Sequence, residues 1–311
     1  LASLGGAVAV PARGITMSTS SDPTIEHLDG QWREWRHARV AELTRPYGWT
    51  ALVAQHWLAD GDTDRELDGL PGTWSIVDGR VIFTPPAAGP TLSVDGEYPT
   101  GPVEIVPGRN QSFGHFGSVP VYFGESEVET IVRTTDDGAS VYAVRVRDPR
   151  ESASKDFSGL SAYDYNPAWR IPARYTPAPA VDVEQETVET GVRETTTRIG
   201  VLTVELGGDR YELAVIGKDS AAGIVPVVHV RDVTSGDTTY GAGRVLELDW
   251  VDEAKTQIDL ADFNYLTPLP CAFTNFVTCP IPPQENHLRL AVTAGEKRPE
   301  VTLERVLTYA G

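Results

Sequence analysis

Three features of the 311-residue chain predict a mainly β fold. Runs of Val, Ile, Thr, Tyr and Leu alternate with polar residues, the two-residue period of a strand with one covered face. Turn sequences rich in Gly, Asp, Asn and Ser recur about every 8–12 residues. Helical periodicity is clear in only one place, near the start. The expected architecture is an antiparallel β-barrel or sandwich in the C-terminal part, with a β-rich N-terminal part preceded by an amphipathic helix.

Residues 1–23 are expected to be a disordered or expression-derived N-terminus. Their apolar run precedes Met17, is too short to span a bilayer and has no basic region before it. Residues 24–148 are read as a helix plus a β-rich subdomain. Asp22 and Pro23 suit an N-cap and first helical position, and Ile25, Leu28, Trp32, Trp35 and Leu43 recur at helical steps until Pro46. The helix is placed from about Thr24 to Thr44, its tryptophans packing against the domain rather than forming a ligand platform. Trp49–Leu58 fits either a second helix or a buried strand. Asp78-Gly79 sits between two β-type runs within Thr73–Thr84, a two-residue hairpin signal. Further strands are expected at Thr91–Val94, Val103–Val106 and Val119–Phe123. A turn at Asp136-Asp137-Gly138 leads into Val141–Arg147, where Tyr142, Val144 and Val146 should face in and Arg145 and Arg147 out.

Residues 149–180 hold five prolines with Trp169 and Tyr175 between them. Those aromatics favour a Pro-rich arm lying across a sheet over a solvated linker. Residues 181–311 return to strand grammar as the C-terminal barrel or sandwich. Leu202, Val204 and Leu206 alternate, Gly207-Gly208 turns the chain, and Tyr211, Leu213 and Val215 alternate back. Ile224–Val233 is nearly all apolar, as in a central strand, with Pro226 at its start. Thr234–Asp237 turns again, Val245–Trp250 follows, and Leu288–Val292 and Val301–Leu307 read as closing strands.

Between these lies the segment 259–288, with both cysteines, Cys271 and Cys279, and prolines at 268, 270, 280, 282 and 283. Each proline fixes φ, removes a donor and extends the residue before it, so neither a regular helix nor a central strand can form. Yet Phe263, Tyr265, Phe273 and Phe276 would be wasted in a solvated linker. The segment is read as an ordered loop held against the scaffold, where binding and catalytic groups concentrate.

The motifs Asp262-Phe263-Asn264, Pro270-Cys271-Ala272-Phe273-Thr274, Thr278-Cys279-Pro280-Ile281-Pro282-Pro283 and Asn286 resemble the signature of DUF1684, a bacterial and archaeal family of unknown function. Thr239–Leu246, Asp156–Leu160 with Asn166–Arg170, and Pro46–Trp49 with Trp57-Leu58 resemble the same family's blocks. The resemblance implies membership and no reaction.

Net charge of −18, from 26 basic and 44 acidic residues, repels phosphate backbones and anionic membranes. No Lys/Arg run overrides it, so neither nucleic acid nor membrane is an expected partner. Without a convincing leader the protein is read as cytoplasmic, its cysteines as thiols. No metal site is expected, because the six histidines are scattered and no C-x-x-C or H-x-x-x-H pair occurs. Tyr240-Gly241-Ala242-Gly243-Arg244 precedes a strand, not a helix, so it fails as a dinucleotide fingerprint; its glycines fit a bulge or a close backbone approach. No cofactor is implied.

Arg244 shares a face with Leu246 and Leu248, so it points inward and requires an anion opposite. That anion is either a protein carboxylate such as Asp262 or a ligand. The leading reading is a small-molecule-binding protein, its ligand an anion if it is what meets Arg244, in a β-barrel pocket covered by the 259–288 loop. Tyr240, Arg244, Asn264, Phe273 and Asn286 are the candidate contacts, although Asn264 and Asn286 equally suit turn capping. The alternative is a metal- and nucleotide-independent hydrolase or isomerase. It would use Cys271 with a base such as His287 or His229, or the loop carboxylates Asp262 and Glu285. A structural or partner-binding role is the third reading.

Overall fold

The computed structural model describes residues 24–108, 119–151, 160–220 and 223–300. Within them the one α-helix, α1 (Ile25–Leu43), starts one residue after its cap: Thr24, extended, accepts from the amide of His27. The cap is therefore Thr24 and not Asp22, which lies outside the described residues. No helix among the described residues is long and apolar enough to cross a membrane.

After a single 3-10 turn at Trp49–Ala51, the ambiguous stretch becomes strand β1 (Leu52–Ala59). β2 (Thr73–Val77) and β3 (Arg80–Thr84) form the expected hairpin, with Asp78 and Gly79 both at positive φ, 49° and 73°, as a type I′ turn demands. β4 (Ser93–Val94), β5 (Val103–Glu104) and β6 (Val121–Phe123) are shorter than expected. β7 (Ser126–Thr135) and β8 (Ser140–Arg147) make the hairpin around Asp137-Gly138. β9 (Arg170–Glu186) carries the chain straight through the Pro-rich stretch. β10 (Val192–Leu206), β11 (Asp209–Lys218), β12 (Val225–Val230) and β13 (Arg244–Glu247) follow. β14 (Leu260–Asp262) and β15 (Thr267–Pro268) are the only strand pieces the prolines of the loop allow.

The large sheet runs β1-β8-β7-β10-β11-β12-β13-β15, all antiparallel, and does not close into a barrel among the described residues. β2, β3 and β5 form a second, small sheet, so the architecture is sandwich-like. β10 joins the two halves. Val192 and Arg193 pair with β7, Thr197–Leu206 pair with β11, and β9 runs along the other edge. Three apolar clusters matter here. Leu58, Val128, Tyr142 and Val144 pack against Trp74 and Phe83 of the small sheet. Leu202, Val204, Leu213, Val228 and Leu246 form the largest core, sealed by Trp32 of α1 and by Phe263, Leu266 and Val292. On the far side of the same strands, Ile216, Val227 and Val245 meet Leu52, Leu269, Val277 and both cysteines.

Two expectations need correcting. Arg145 and Arg147 do not face out: both faces of the β7–β8 hairpin are covered, and these side chains are buried. Leu288–Val292 is not a strand: only the amide of Leu288 and the carbonyl of Leu290 bond the chain beyond β12, and the carbonyl of Val292 accepts from the buried Arg244 instead. Val301–Leu307 lies outside the described residues.

Candidate functional site

Around the cysteine loop three sets of polar side chains are buried. The first centres on Arg244 and is fully enclosed. Its Nη2 donates to Asp232 Oδ2 and to the carbonyl of Val292, each at 2.9 Å. Its Nη1 donates to the carbonyls of Ala294 and Glu296. The partner carboxylate is thus Asp232 rather than Asp262. Asp232 is held by a turn of its own, its Oδ1 accepting from Thr234 N at 2.8 Å, Thr234 Oγ1 at 2.6 Å and Val292 N at 3.2 Å. Arg244 is reached through Gly243, at φ 93°, where a Cβ would lie 2.4 Å from the carbonyl oxygen of Val230. Only glycine fits such an approach. Glu296 lies nearby and buried, 3.7 Å from Arg39 of α1, and burial raises its carboxyl above the usual range.

In the second set, asparagines serve the backbone. Asn286 accepts from Ala214 N at 2.7 Å and donates to the carbonyls of Ala214 and His229. β11 and β12 pair only as far as Ile216 and Val227, and the amide of Asn286 fills the gap beyond. Asn264 donates to Asn166 O and to Asp262 Oδ1 and accepts from Asn166 N, while its own carbonyl takes the indole N–H of Trp32. Asp262 also pairs with Arg170 at 3.4 Å.

The third set lies under residues 271–279. Arg133 and Glu129 on β7, Arg145 and Arg147 on β8, and Glu194 on β10 are all buried. Direct cross-strand pairing puts Glu129 and Arg145 on one face, with Gln55 of β1 opposite Arg145. Arg147 Nη2 donates to Glu129 at 3.1 Å, Arg133 Nη2 lies 3.2 Å from Glu194, and Arg145 Nε donates to Gln55 at 2.8 Å. Thr278 closes the lid by accepting from Arg133 Nε at 2.8 Å. Sequence reasoning missed this set. Its signal is the pattern Glu127-x-Glu129 against Arg145-x-Arg147, complementary charges on paired strands of one hairpin.

The structure brings Tyr240, Cys271 and Phe273 together: the Tyr240 hydroxyl donates to the carbonyl of Cys271 at 2.8 Å, and Phe273 packs beside Tyr240 and Leu43. Arg244, Asn286 and Asn264 belong to separate sets. Glu285 is on the surface, paired with Arg198 at 3.1 Å. His287 donates from Nε2 to Pro282 O at 3.2 Å, and His229 to Ala242 O at 3.0 Å, its pKa pushed down to about 3 by burial. Cys279 Sγ accepts from the amide of Cys271 at 3.3 Å, and burial drives its thiol well above the ordinary value. A nucleophilic thiolate needs the opposite environment. Both cysteines are free and buried. In native protein neither should react with a thiol-specific disulfide reagent over minutes, and both should react at once in denaturant. Rapid native labelling of either would mean that the loop opens readily.

Elsewhere, a cavity of about 900 Å³ opens between β1, β6 and the end of β8. Val53, Ala54, Val146, Tyr98, Tyr122 and Phe123 give it an apolar and aromatic wall. Its charged lining is Asp68, Glu125, Asp148 and Arg150. Arg150 clamps Asp148 at 2.6 Å and holds its carboxyl low, leaving Asp68 and Glu125 to set an acidic rim. The Thr91 hydroxyl borders the cavity, buried and without a protein hydrogen-bond partner.

Fold and loop together define a mainly β protein whose Pro-rich, cysteine-bearing segment is sewn into an open antiparallel sheet by buried side chains. The chain belongs to the DUF1684 family: residues 155–297 match the description "Protein of unknown function (DUF1684)". An uncharacterized protein of Haloarcula marismortui, solved by solution NMR, is 31% identical, with 46% of this chain and 77% of that one covered and a TM-score of 0.38. No curated protein matches. The motif residues 239–246 and 262–286 fall inside the family segment, and every residue named for the cavity falls before it.

Proposed function

We propose that the protein is a small-molecule-binding protein whose ligand occupies the cavity between β1, β6 and β8. The observation that supports this is the cavity itself, of a size usual for small-molecule sites, with an aromatic and aliphatic wall on one side and a charged rim on the other. Around the cysteine loop, by contrast, the polar groups of Tyr240, Arg244, Asn264 and Asn286 already serve protein partners. An acidic rim over aromatic rings favours a neutral or cationic ligand above an anionic one, through charge and cation–π attraction.

A matched pair of probes tests this. Tyramine and 4-hydroxyphenylacetate share a ring and differ in the sign of their charge. Tyramine should perturb the NMR resonances of Tyr98 and Phe123 saturably, and the acid should not. Ala54→Trp, which fills the cavity, should weaken tyramine by about tenfold or more. Equal response to both probes, no response, or a response that Ala54→Trp leaves intact would contradict the reading.

A further inference from the structure

Cys271 and Cys279, the two cysteines of the chain, pack against each other in one apolar cluster. The Sγ of Cys279 lies 3.3 Å from the amide nitrogen of Cys271. The Cα of Cys271, one bond beyond that nitrogen, is then at most about 4.8 Å from the same sulfur. That is within reach of a disulfide, whose two Cα atoms stand about 4.4–6.8 Å apart. The two sulfurs can be joined chiefly by rotation of the side chains. The backbones that carry them are already fixed. Cys271 sits in the 3-10 turn Pro270–Ala272, and its carbonyl accepts from the Tyr240 hydroxyl at 2.8 Å. The carbonyl of Cys279 accepts from the amide of Val188 at 2.9 Å. Among the described residues no third His, Cys, Asp or Glu joins the pair in a group that could hold a metal ion. The two sulfurs are left to each other.

We propose that Cys271 and Cys279 are a disulfide site, closed while the chain folds in an oxidising medium and sealed by the finished fold. In a reducing medium the same chain folds with two thiols. The seal follows from burial: Cys279 is wholly enclosed and Cys271 is 5% exposed, so a reagent cannot reach either sulfur in the folded protein. Oxidation therefore belongs to the folding chain, with a small disulfide such as oxidised glutathione as the oxidant. One cysteine thiolate attacks a glutathione sulfur and releases the first glutathione as a thiolate. The other cysteine thiolate attacks the sulfur of the first cysteine and releases the second glutathione. The S–S bond of glutathione is lost, that of the loop is gained, and the two cysteine protons end on two glutathiones. The same burial then keeps reductants from the new bond, so the protein retains the state in which it folded. Closing residues 271–279 also restricts the unfolded chain, which stabilises the fold.

Cell-free synthesis tests this, once with reduced glutathione alone and once with oxidised glutathione in excess. Each product is freed of glutathione, denatured without reductant, alkylated and weighed. Protein from the oxidising synthesis should be lighter by two hydrogens and take no alkyl group, and its digest should join Cys271 to Cys279. While native it should keep the bond for hours in dithiothreitol, and it should lose it within minutes once urea is added. Its Tm should lie about 4 °C or more above that of the thiol form. Cys279→Ser should melt at the same temperature from either medium, and the comparison of the two parent preparations stands even if that variant fails to fold. Two alkylated thiols after the oxidising synthesis, or glutathione adducts or linked dimers in place of the loop bond, would overturn the proposal. So would reduction of the native protein within minutes, or a Tm no higher than that of the thiol form.

Discussion

Arg244→Met should cost about 3–5 kcal/mol of folding stability, the loss typical when one member of a buried ion pair is removed. The side chain is wholly enclosed and holds four partners, Asp232 and the carbonyls of Val292, Ala294 and Glu296. Methionine replaces the volume of the stem and none of the donors. Asp232 Oδ2 is then left buried without its cation, and three carbonyls that cannot reach water lose their donor. Those carbonyls belong to residues 292–296, which form no strand and are otherwise tied at their end, by the bridge of Glu296 to Ala162 and the bond of its amide to Leu266, so the arginine helps to set their course. Arg244→Lys should recover only part of the loss, since an ammonium cannot span Asp232 and three carbonyls as the planar fork does. Urea denaturation of the three proteins, followed by tryptophan fluorescence, checks the order. A loss below about 1 kcal/mol in Arg244→Met would mean that water or another group satisfies Asp232.

Asn286→Ala should be nearly as severe, roughly 3 kcal/mol or more, because it strands one buried N–H and two buried carbonyls at once. Where β11 and β12 part, the amide of Asn286 stands in for a peptide, accepting from Ala214 and donating to Ala214 and His229. Asn286→Asp keeps the acceptor, loses both donors and sets a carboxylate against two carbonyl oxygens, so it should be no better. Amide exchange reports this locally: the N–H of Ala214 should be protected in the parent and exchange far faster in Asn286→Ala. Equal protection would show that the strands close up without the side chain.

Much of this fold is legible in the sequence because local rules govern it. Helix α1, the Asp78-Gly79 hairpin and the alternating strands β8, β10 and β11 each follow from periodicity and turn chemistry within a few residues. So does the irregular course of 259–288, which the prolines dictate. What the sequence hides is which surfaces become covered. Arg145 and Arg147 read as outward on a sheet with one wet face, and only the distant contacts of Thr278 and Glu194 reveal that both faces are closed. The inward turn of Arg244 is readable from its strand. Its anion is not, since Asp232 is placed by an Asx turn twelve residues earlier, and Asp262 is engaged by Arg170 and Asn264 instead. Asn286 shows the same limit: the sequence suggests capping of a nearby turn, but the side chain serves backbone groups at residues 214 and 229, on strands far away in the chain.

A double-mutant cycle on Arg244 and Asp232 tests most directly whether the motif Tyr240–Arg244 is architecture. With Arg244→Met, Asp232→Asn and the pair measured by urea denaturation, a structural ion pair predicts strong coupling, about 2 kcal/mol or more, because each single change strands the other's charge. Additivity within about 0.5 kcal/mol, with Arg244→Met itself nearly neutral, would contradict it and return Arg244 to the groups free to meet a ligand.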